Sequence, residues 1–242
     1  MEWERLLKER LEFDINMHFL ARYIAPGDTL LDLRGCLGRY ALAFAQQGVR
    51  VTLCDLSPGC IAFAREKAEE ANLPLAAFAG DARDIASLTT EVFDHVLLMG
   101  PLYHLLEANE REAAMHAALS RLGPGGTIAV SFIGSYSGML YAMRALLKVI
   151  LRAKEQEYFE SLVQGQAFAG TGFTDVCFER HQRVLPFMEK FQHETLHSLS
   201  SESFFAPCSD RLYAQSEETY QAWLRFGIRL CELPDALPFA EH

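Results

Sequence analysis

Apolar runs and helical patterns alternate along the first half of the chain. Five short apolar runs are expected to be strands, at 29–33, 50–54, 75–79, 92–99 and 127–133. Helical patterns fill the spaces between several of them, at 40–47, 57–72 and 110–122. Strands and helices at this spacing predict βαβ units and a parallel sheet. The near-continuous apolar character of the runs favours a sheet that is covered on both faces.

This order predicts an α/β protein with a Rossmann-like, doubly wound, mostly parallel sheet and helices on both faces. One glycine and one capping pair support the boundaries: Gly48 ends the first helix, and Ser57-Pro58 suits the N-cap and first position of the next. Ligands of such folds bind outside the carboxyl ends of the strands. We therefore expect functional side chains in the loops that follow the strands.

The second half of the chain has a different pattern. It predicts an inserted helical cap at 135–170, with one long helix or two over 136–163, and then residues that complete the sheet. Two further strands are expected at 173–179 and 194–200, and two helices at 183–191 and 217–231. No convincing last strand follows the final helix, so either 175–179 supplies that strand or the chain lacks it.

These predictions describe one domain over residues 1–242. An N-terminal helical segment (1–27) precedes a core with the ligand-binding loops (28–134). The cap (135–170) and the C-terminal part (171–242) follow.

The charge of the chain limits the classes of partner that it is expected to bind. The 242 residues carry 22 Lys and Arg against 32 Asp and Glu, a net charge of −10. This balance argues against a protein that binds nucleic-acid phosphates, which requires clustered basic residues. The charged start, Met1 to Glu12, does not have the apolar region of a secretory signal. The most apolar window, 139–151, is too short to span a membrane, so we expect no membrane partner and a cytoplasmic location.

The cysteines are consistent with the expected cytoplasmic location. Six are present, and none forms a C-x-x-C pair, so a zinc site is not expected. Without a signal peptide, reduced and mostly buried thiols are favoured over disulfides.

Three acidic residues lie at the ends of successive predicted strands. Asp32 precedes the turn that contains Gly35 and Gly38, Asp55 follows the second strand, and Asp81 follows the third. Glycines let the backbone approach a ligand, and an acid after the second strand is placed to accept the hydroxyl protons of a ribose. Taken singly, each has an ordinary explanation, such as Asp81 capping the turn at 82–84. Together they favour a nucleoside pocket.

The fourth strand ends in the loop Met99-Gly100-Pro101-Leu102-Tyr103-His104. Tyr103 and His104 are candidate general bases by location, although an ordinary loop residue is the favoured explanation of each one taken singly. His18 and Tyr23 in the N-terminal segment come next.

The glycine spacing excludes two common nucleotide motifs. Gly35-Cys36-Leu37-Gly38-Arg39-Tyr40-Ala41 does not match G-x-G-x-x-G, and no Gly-Lys-Ser/Thr occurs. A nicotinamide-dependent oxidoreductase is therefore disfavoured.

A more specific resemblance rests on five motifs in order. Leu31-Asp32-Leu33-Arg34-Gly35-Cys36-Leu37-Gly38 resembles the first motif of class I S-adenosylmethionine-dependent methyltransferases of the bacterial small-molecule type. Asp55 resembles their acid after the second strand, and Gly80-Asp81-Ala82 their adenine-side motif. The segments 93–105 and 122–126 are similar to their fourth strand with its loop and to the turn into the fifth strand.

The resemblance implies S-adenosylmethionine as cofactor, S-adenosylhomocysteine as product, and a role for each matched residue. The backbone from Gly35 to Gly38 would face the methionine part, and Asp32 would orient its amino group. Asp55, with Leu56 beside it, would hold the ribose. The remaining positions would be Asp81 and Ala82 at the adenine, and Met99 and Gly100 along the rim of the fourth strand.

The first motif departs from the family pattern at two positions. Arg34 and Cys36 stand where that pattern has glycines, while Gly38 is kept. Two hypotheses therefore stay open. One is methyl transfer to a small-molecule acceptor by in-line displacement. The other is a catalytically silent relative that binds a nucleoside ligand or a protein partner.

Overall fold

The computed structural model describes residues 2–171 and 175–239. The helices α1 to α11 are, in chain order, Glu2–Lys8, Leu11–Leu20, Arg39–Gln46, Pro58–Glu70, Ile85–Leu88, Ala108–Leu119, Ser137–Ala145, Gln156–Val163, His181–Met188, Ser209–Tyr213 and Glu217–Leu230. The strands β1 to β8 are Thr29–Leu33, Arg50–Asp55, Leu75–Ala79, Phe93–Leu98, Leu122–Val130, Ile133–Gly134, Phe168–Thr171 and Asp175–Glu179. Contacts divide the chain into two units, residues 19–131 and residues up to 18 together with those from 132 onward.

The unit 19–131 contains the predicted parallel sheet. Its five strands lie in the order β3-β2-β1-β4-β5, and every neighbouring pair is parallel. Leu31 at the centre pairs with Thr52 on one side and Val96 on the other. The α/β, Rossmann-like fold class is thereby confirmed. The chain order changes direction at β1, so the loops after β1 and β4 lie at the switch point where such sheets bind ligands.

Buried apolar residues on strands and helices explain this arrangement. Leu30, Leu31 and Leu33 of β1 are fully buried, as are Ala41 and Phe44 of α3. A strand with neighbours on both sides and helices on both faces needs apolar side chains at nearly every position. The expected cap of α4 is also present, since the Ser57 hydroxyl accepts a hydrogen bond from the Cys60 N–H at 3.3 Å.

The fifth strand begins earlier than predicted. Pairing with β4 starts at Leu122, so the glycine-rich run 123–126 lies inside β5 instead of before it. The register of the β4–β5 pair shifts between Phe93 and His95, and this irregularity accommodates the glycine-rich run within β5. A Cβ at Gly126 would lie 2.5 Å from the Asp94 carbonyl oxygen, so the strands approach too closely there for a side chain.

The later strands belong to a second sheet, which corrects the prediction for 175–179. Among the described residues, β8 pairs with β6 in parallel and with β7 antiparallel, and it takes no part in the five-stranded sheet. The predicted start of this strand at 173–174 lies outside the described residues. The expected strand at 194–200 is wrong, because these residues have no regular structure.

The segment 136–163 forms two α-helices, one of the two predicted alternatives. Helices α7 and α8 are joined by short 3₁₀ turns at Leu147–Leu151 and Ala153–Glu155. Tyr158 of α8 anchors this unit: its hydroxyl donates to the Ser135 carbonyl and accepts from the Met139 N–H, both at 2.8 Å. In the described chain, no helix has the length and apolar character needed to cross a membrane.

The first prediction concerns the centre of the parallel sheet. Leu31→Ala is expected to lower the free energy of unfolding by about 2–5 kcal/mol, because it leaves a cavity in a fully buried strand. Leu88→Ala, at a side chain that is 42% exposed, is the matched control and is expected to cost clearly less. Urea unfolding of both variants measures the difference, and equal losses would contradict the assigned core.

Candidate functional site

The sequence-predicted residues lie where four parallel strands end. The carboxyl ends of β1, β2, β3 and β4 lead into the segments 34–38, 56–57, 80–84 and 99–104. Parallel strands bring these segments to one edge of the sheet, within the unit 19–131. This edge is called the carboxyl edge below.

The turn from β1 into α3 has three left-handed residues. Arg34 has φ 64°, Cys36 has φ 49° and Gly38 has φ 78°. The Arg34 N–H donates to the Cys54 carbonyl oxygen at 2.6 Å, and the Gly38 N–H donates to that of Gly35 at 2.8 Å. Non-glycine residues in this region cost about 1–3 kcal/mol each. The turn therefore has a glycine-type backbone at Arg34 and Cys36, two positions where the sequence has no glycine.

The two glycines of the turn are required by packing against the protein. A Cβ at Gly35 would lie 2.4 Å from Oδ2 of Asp32, and one at Gly38 would lie 3.1 Å from the Cβ of Ala64. Gly35 and Gly38 thus let the turn pack directly onto β1 and α4. Packing inside the protein is therefore a reason for these glycines in addition to the expected approach of a ligand.

Asp32 is a buried carboxylate with spare hydrogen-bonding capacity. It is 2% exposed, and in the described part of the chain its Oδ2 has no hydrogen-bond partner. Burial first, and then the charge of Asp55, raises the pKa of Asp32 to about 7, against a smaller opposing effect of the Ala41 N–H. An unpaired buried carboxyl oxygen is costly, so this position favours a donor or a cation next to Asp32.

Asp55 is also buried, but both of its oxygens are hydrogen-bonded. Oδ2 accepts from the Cys36 N–H at 3.0 Å, and Oδ1 accepts from the Ser57 N–H at 2.8 Å. Asp55 therefore connects the turn after β1 to the start of α4. Each carboxylate oxygen has a second lone pair. Leu56, the next residue, is 63% exposed and offers an apolar surface at the carboxyl edge.

Asp81 caps the short turn at 82–84, as its simpler explanation proposed. It accepts from the Arg83 N–H at 2.9 Å and forms an ion pair with the Arg83 side chain at 2.7 Å. Its hydrogen bonds to Arg83 lower the pKa of Asp81, and the charge of Arg34 adds to this effect. Ala82 is buried. Arg83 also pairs with Glu110, so it forms a bridge that the sequence did not indicate.

The loop after β4 packs closely against Arg34. A Cβ at Gly100 would lie 2.8 Å from the Arg34 carbonyl oxygen and 3.2 Å from the Arg34 Cβ. Tyr103 and His104 follow in a 3₁₀ turn, with ring centroids 4.8 Å apart. The Tyr103 hydroxyl donates to the Met99 carbonyl oxygen at 3.2 Å. The predicted rim residues Met99 and Gly100 thus meet the first turn at the switch point.

Cys60 is a residue of the carboxyl edge that sequence reasoning missed. Its Sγ lies 3.4 Å from the Sγ of Cys36, and both thiols are free. The signal was present, because Cys60 is in the first turn of a helix that Ser57-Pro58 starts directly after β2. In the described chain, no group of three His, Cys, Asp or Glu side chains is arranged to hold a metal ion.

Comparison with known proteins agrees with this geometry. A family model described as "Methyltransferase domain" matches residues 30–126, which includes β1 to β4 and the start of β5. A comparison with curated proteins yields no match.

Three solved structures illustrate the similarity. A Pyrococcus horikoshii OT3 protein has 20% identity over 75% of this chain and 81% of its own, with a TM-score of 0.54. A SAM-dependent methyltransferase from Methanosarcina mazei has 16% identity over 71% and 82%, with a TM-score of 0.53. The CcbJ methyltransferase of Streptomyces caelestis has 26% identity over 51% and 50%, with a TM-score of 0.45. The first matched structures are covered over about half of their own length.

The family resemblance is therefore confirmed. Residues 30–126 match the model of a methyltransferase domain, and the fold of this unit is similar to that of a SAM-dependent methyltransferase.

The second prediction follows from the raised pKa of Asp32. A folded-state pKa of about 7, above the ordinary value of 3.8, means that the unfolded chain binds fewer protons between these two values. Stability therefore falls as pH rises from about 4 to about 7 and levels off above. Asp32→Asn removes this dependence. The unfolding free energy of the variant minus that of the wild type is expected to grow from pH 5 to pH 8.

Urea unfolding of both proteins at four pH values, without ligand, measures this difference. Asp94→Asn, at an exposed carboxyl at the start of β4, is the control. A difference that stays constant with pH would contradict a raised pKa at Asp32.

Proposed function

We propose that this chain, in which residues 30–126 match the model of a methyltransferase domain, binds S-adenosylmethionine at the carboxyl edge and methylates a small molecule. The single observation that carries the proposal is the turn 34–38. Its left-handed backbone at positions 34, 36 and 38 is kept despite two non-glycine residues. Two buried acids, Asp32 and Asp55, are held next to it. Strained backbone of this kind is concentrated at ligand-binding and active sites.

The residues at the edge fit the cofactor in most respects. Asp32 has an unpartnered oxygen for an ammonium group, and Asp55 has lone pairs left for ribose hydroxyls. Leu56 and the buried Ala82 supply apolar surface for a base. Gly35 and Gly38 contribute through the shape of the turn. Arg34 is the one mismatch, because it adds a cation beside Gly100.

Methyl transfer at this site requires little from the protein beyond the placement of cofactor and acceptor. The bound cofactor supplies a methyl carbon that a nucleophilic atom of the acceptor takes by in-line displacement. Met99 and Gly100 form the rim against which the acceptor is placed. Where the acceptor's nucleophile carries a proton, His104 is the proposed base. Tyr103 holds this loop through its bond to Met99.

A small-molecule acceptor suits the charge of the chain. The net charge of −10 disfavours nucleic acid. We retain a cytoplasmic location as part of the proposal, together with a cap function for residues 135–170.

The silent relative is supported by a specific observation. Arg34 packs on Gly100, and its charge helps to lower the pKa of Asp81, so a cation lies near the carboxyl edge. A sulfonium is also a cation, and two like charges in a site of reduced polarity repel each other. This arrangement favours weak binding of S-adenosylmethionine.

The third prediction tests the cofactor directly. Calorimetric titration is expected to give micromolar binding of S-adenosylmethionine and S-adenosylhomocysteine, and none of NADH. Asp55→Ala is expected to abolish both interactions, because the carboxylate holds the turn and faces the ribose position. Asp94→Ala, at the opposite end of the sheet, is the matched control and keeps wild-type affinity. Circular dichroism verifies that each variant is folded.

Wild-type affinity in Asp55→Ala would refute the assigned ribose site. Absence of binding of all three ligands to the wild-type protein would favour the silent relative.

The fourth prediction separates the two hypotheses through charge. S-adenosylhomocysteine lacks the positive sulfur, so Arg34→Gly is expected to raise affinity for S-adenosylmethionine about ten-fold and for S-adenosylhomocysteine much less. Cys36→Gly changes the backbone without changing charge and is the matched control. Binding that appears only after both replacements would identify the native chain as silent. Equal gains for both ligands would show that strain, not charge, limits binding.

A further inference from the structure

An exposed apolar surface lies at the end of α7 and in the segment between α7 and α8. Five large apolar side chains there are turned to solvent, and Leu147 and Leu151 are 72% and 82% exposed. The five residues are Met143, Leu146, Leu147, Ile150 and Leu151. Single exposed apolar residues are ordinary, but several in sequence indicate an interaction surface. Residues 143–154 are called the apolar–basic segment below.

Local structure explains why these side chains are exposed. α7 turns Leu140 and Ala142 inward. Arg144 donates to the Ala206 carbonyl oxygen at 3.3 Å and to the Ser209 hydroxyl at 3.0 Å, which anchors the end of the helix. The backbone then leaves the α-helix and forms the 3₁₀ turn Leu147–Leu151. With three residues per turn, Leu147 and Ile150 lie on the same face.

The charges of the segment have one sign. Lys148, Arg152 and Lys154 are exposed. No Asp or Glu occurs between Glu112 and Glu155, although the chain has 32 acidic residues. The nearest acid in the sequence, Glu155, forms an ion pair with Lys154 at 3.5 Å. A local positive region therefore accompanies the apolar side chains in a protein whose net charge is negative.

We propose that the apolar–basic segment docks this protein on a lipid surface that contains anionic headgroups. The apolar side chains enter the interfacial layer, and Lys148, Arg152 and Lys154 contact headgroup phosphates. Exposed apolar residues combined with basic residues are the composition that binds such interfaces. The proposal departs from the expectation that no membrane takes part, which rested on the absence of a spanning segment.

Charge favours this occupant over a second copy of the chain. Symmetric pairing through the segment would place the same basic residues of two copies opposite each other. Like charges at an interface oppose association. An anionic lipid surface offers an apolar layer to the apolar side chains of the segment and negative headgroups to its basic side chains.

The test is co-sedimentation of the full chain with vesicles. One set contains phosphatidylcholine alone, and the other contains phosphatidylcholine and phosphatidylglycerol at three to one. Binding is expected only to the second set, and it is expected to weaken at high salt because headgroup attraction is screened. Neither cofactor nor acceptor is needed, so the result is independent of the proposed function.

Two variants separate the apolar and the charged contributions. Leu147→Ser with Leu151→Ser is expected to weaken binding at least about ten-fold, because two apolar side chains that would enter the lipid are lost. Lys148→Gln with Arg152→Gln is expected to weaken it by about ten-fold, because each basic residue contributes to attraction. All four positions are exposed, so the fold is expected to remain intact.

Matched controls lie elsewhere on the same unit. Val163→Ser removes an apolar side chain that is as exposed as Leu151. Arg225→Gln with Arg229→Gln removes two charges from α11. Both controls are expected to bind vesicles as the wild type does.

Three outcomes would overturn the proposal. The first is no binding of the wild-type protein to phosphatidylglycerol vesicles. The second is equal loss in the control variants. The third is self-association in ultracentrifugation that Leu147→Ser with Leu151→Ser abolishes, which would assign the surface to a second copy.

Discussion

The turn between β1 and α3 is the constraint on which the carboxyl edge depends. Contacts at three points restrict its path: a side chain at Gly35 would meet Asp32, one at Gly38 would meet α4, and one at Gly100 would meet Arg34. A backbone confined in this way has to use left-handed conformations, whatever side chains it carries. Arg34 and Cys36 therefore accept strain that glycine would avoid, and the strain is offset by packing and by the Asp55 hydrogen bonds.

Charge is the second organising factor at this edge. Asp32 and Asp55 are both buried and close enough for the charge of one to raise the pKa of the other. Backbone N–H groups compensate Asp55, while Asp32 keeps an oxygen without a partner in the described chain. Arg34 and Arg83 bring positive charge toward the third acid, Asp81. The site thus combines a carboxylate that lacks a donor with cations that oppose a positively charged ligand.

The strands of the parallel sheet were predictable because each is a short, almost entirely apolar run bounded by turn residues. The position of the three acids followed from the same pattern, since an acid at the end of a parallel strand lies at the carboxyl edge. The pattern could not reveal that Arg83 neutralises Asp81 or that Cys60 meets Cys36, because these contacts depend on side-chain directions. The second sheet was not predicted, because β6 and β7 are short and contain Gly134 and Gly170, and glycine is not typical of strands.

The protonation of Asp32 has a consequence for how ligand binding is observed. With a pKa of about 7, this carboxyl carries a proton in a large fraction of molecules at neutral pH. A cation that takes its place beside the unpartnered oxygen stabilises the charged form, so the proton is released to the solution. The heat of binding then includes the ionisation heat of whatever buffer receives that proton. Two buffers of different ionisation enthalpy will report different apparent enthalpies for one and the same affinity, and their difference counts the protons released.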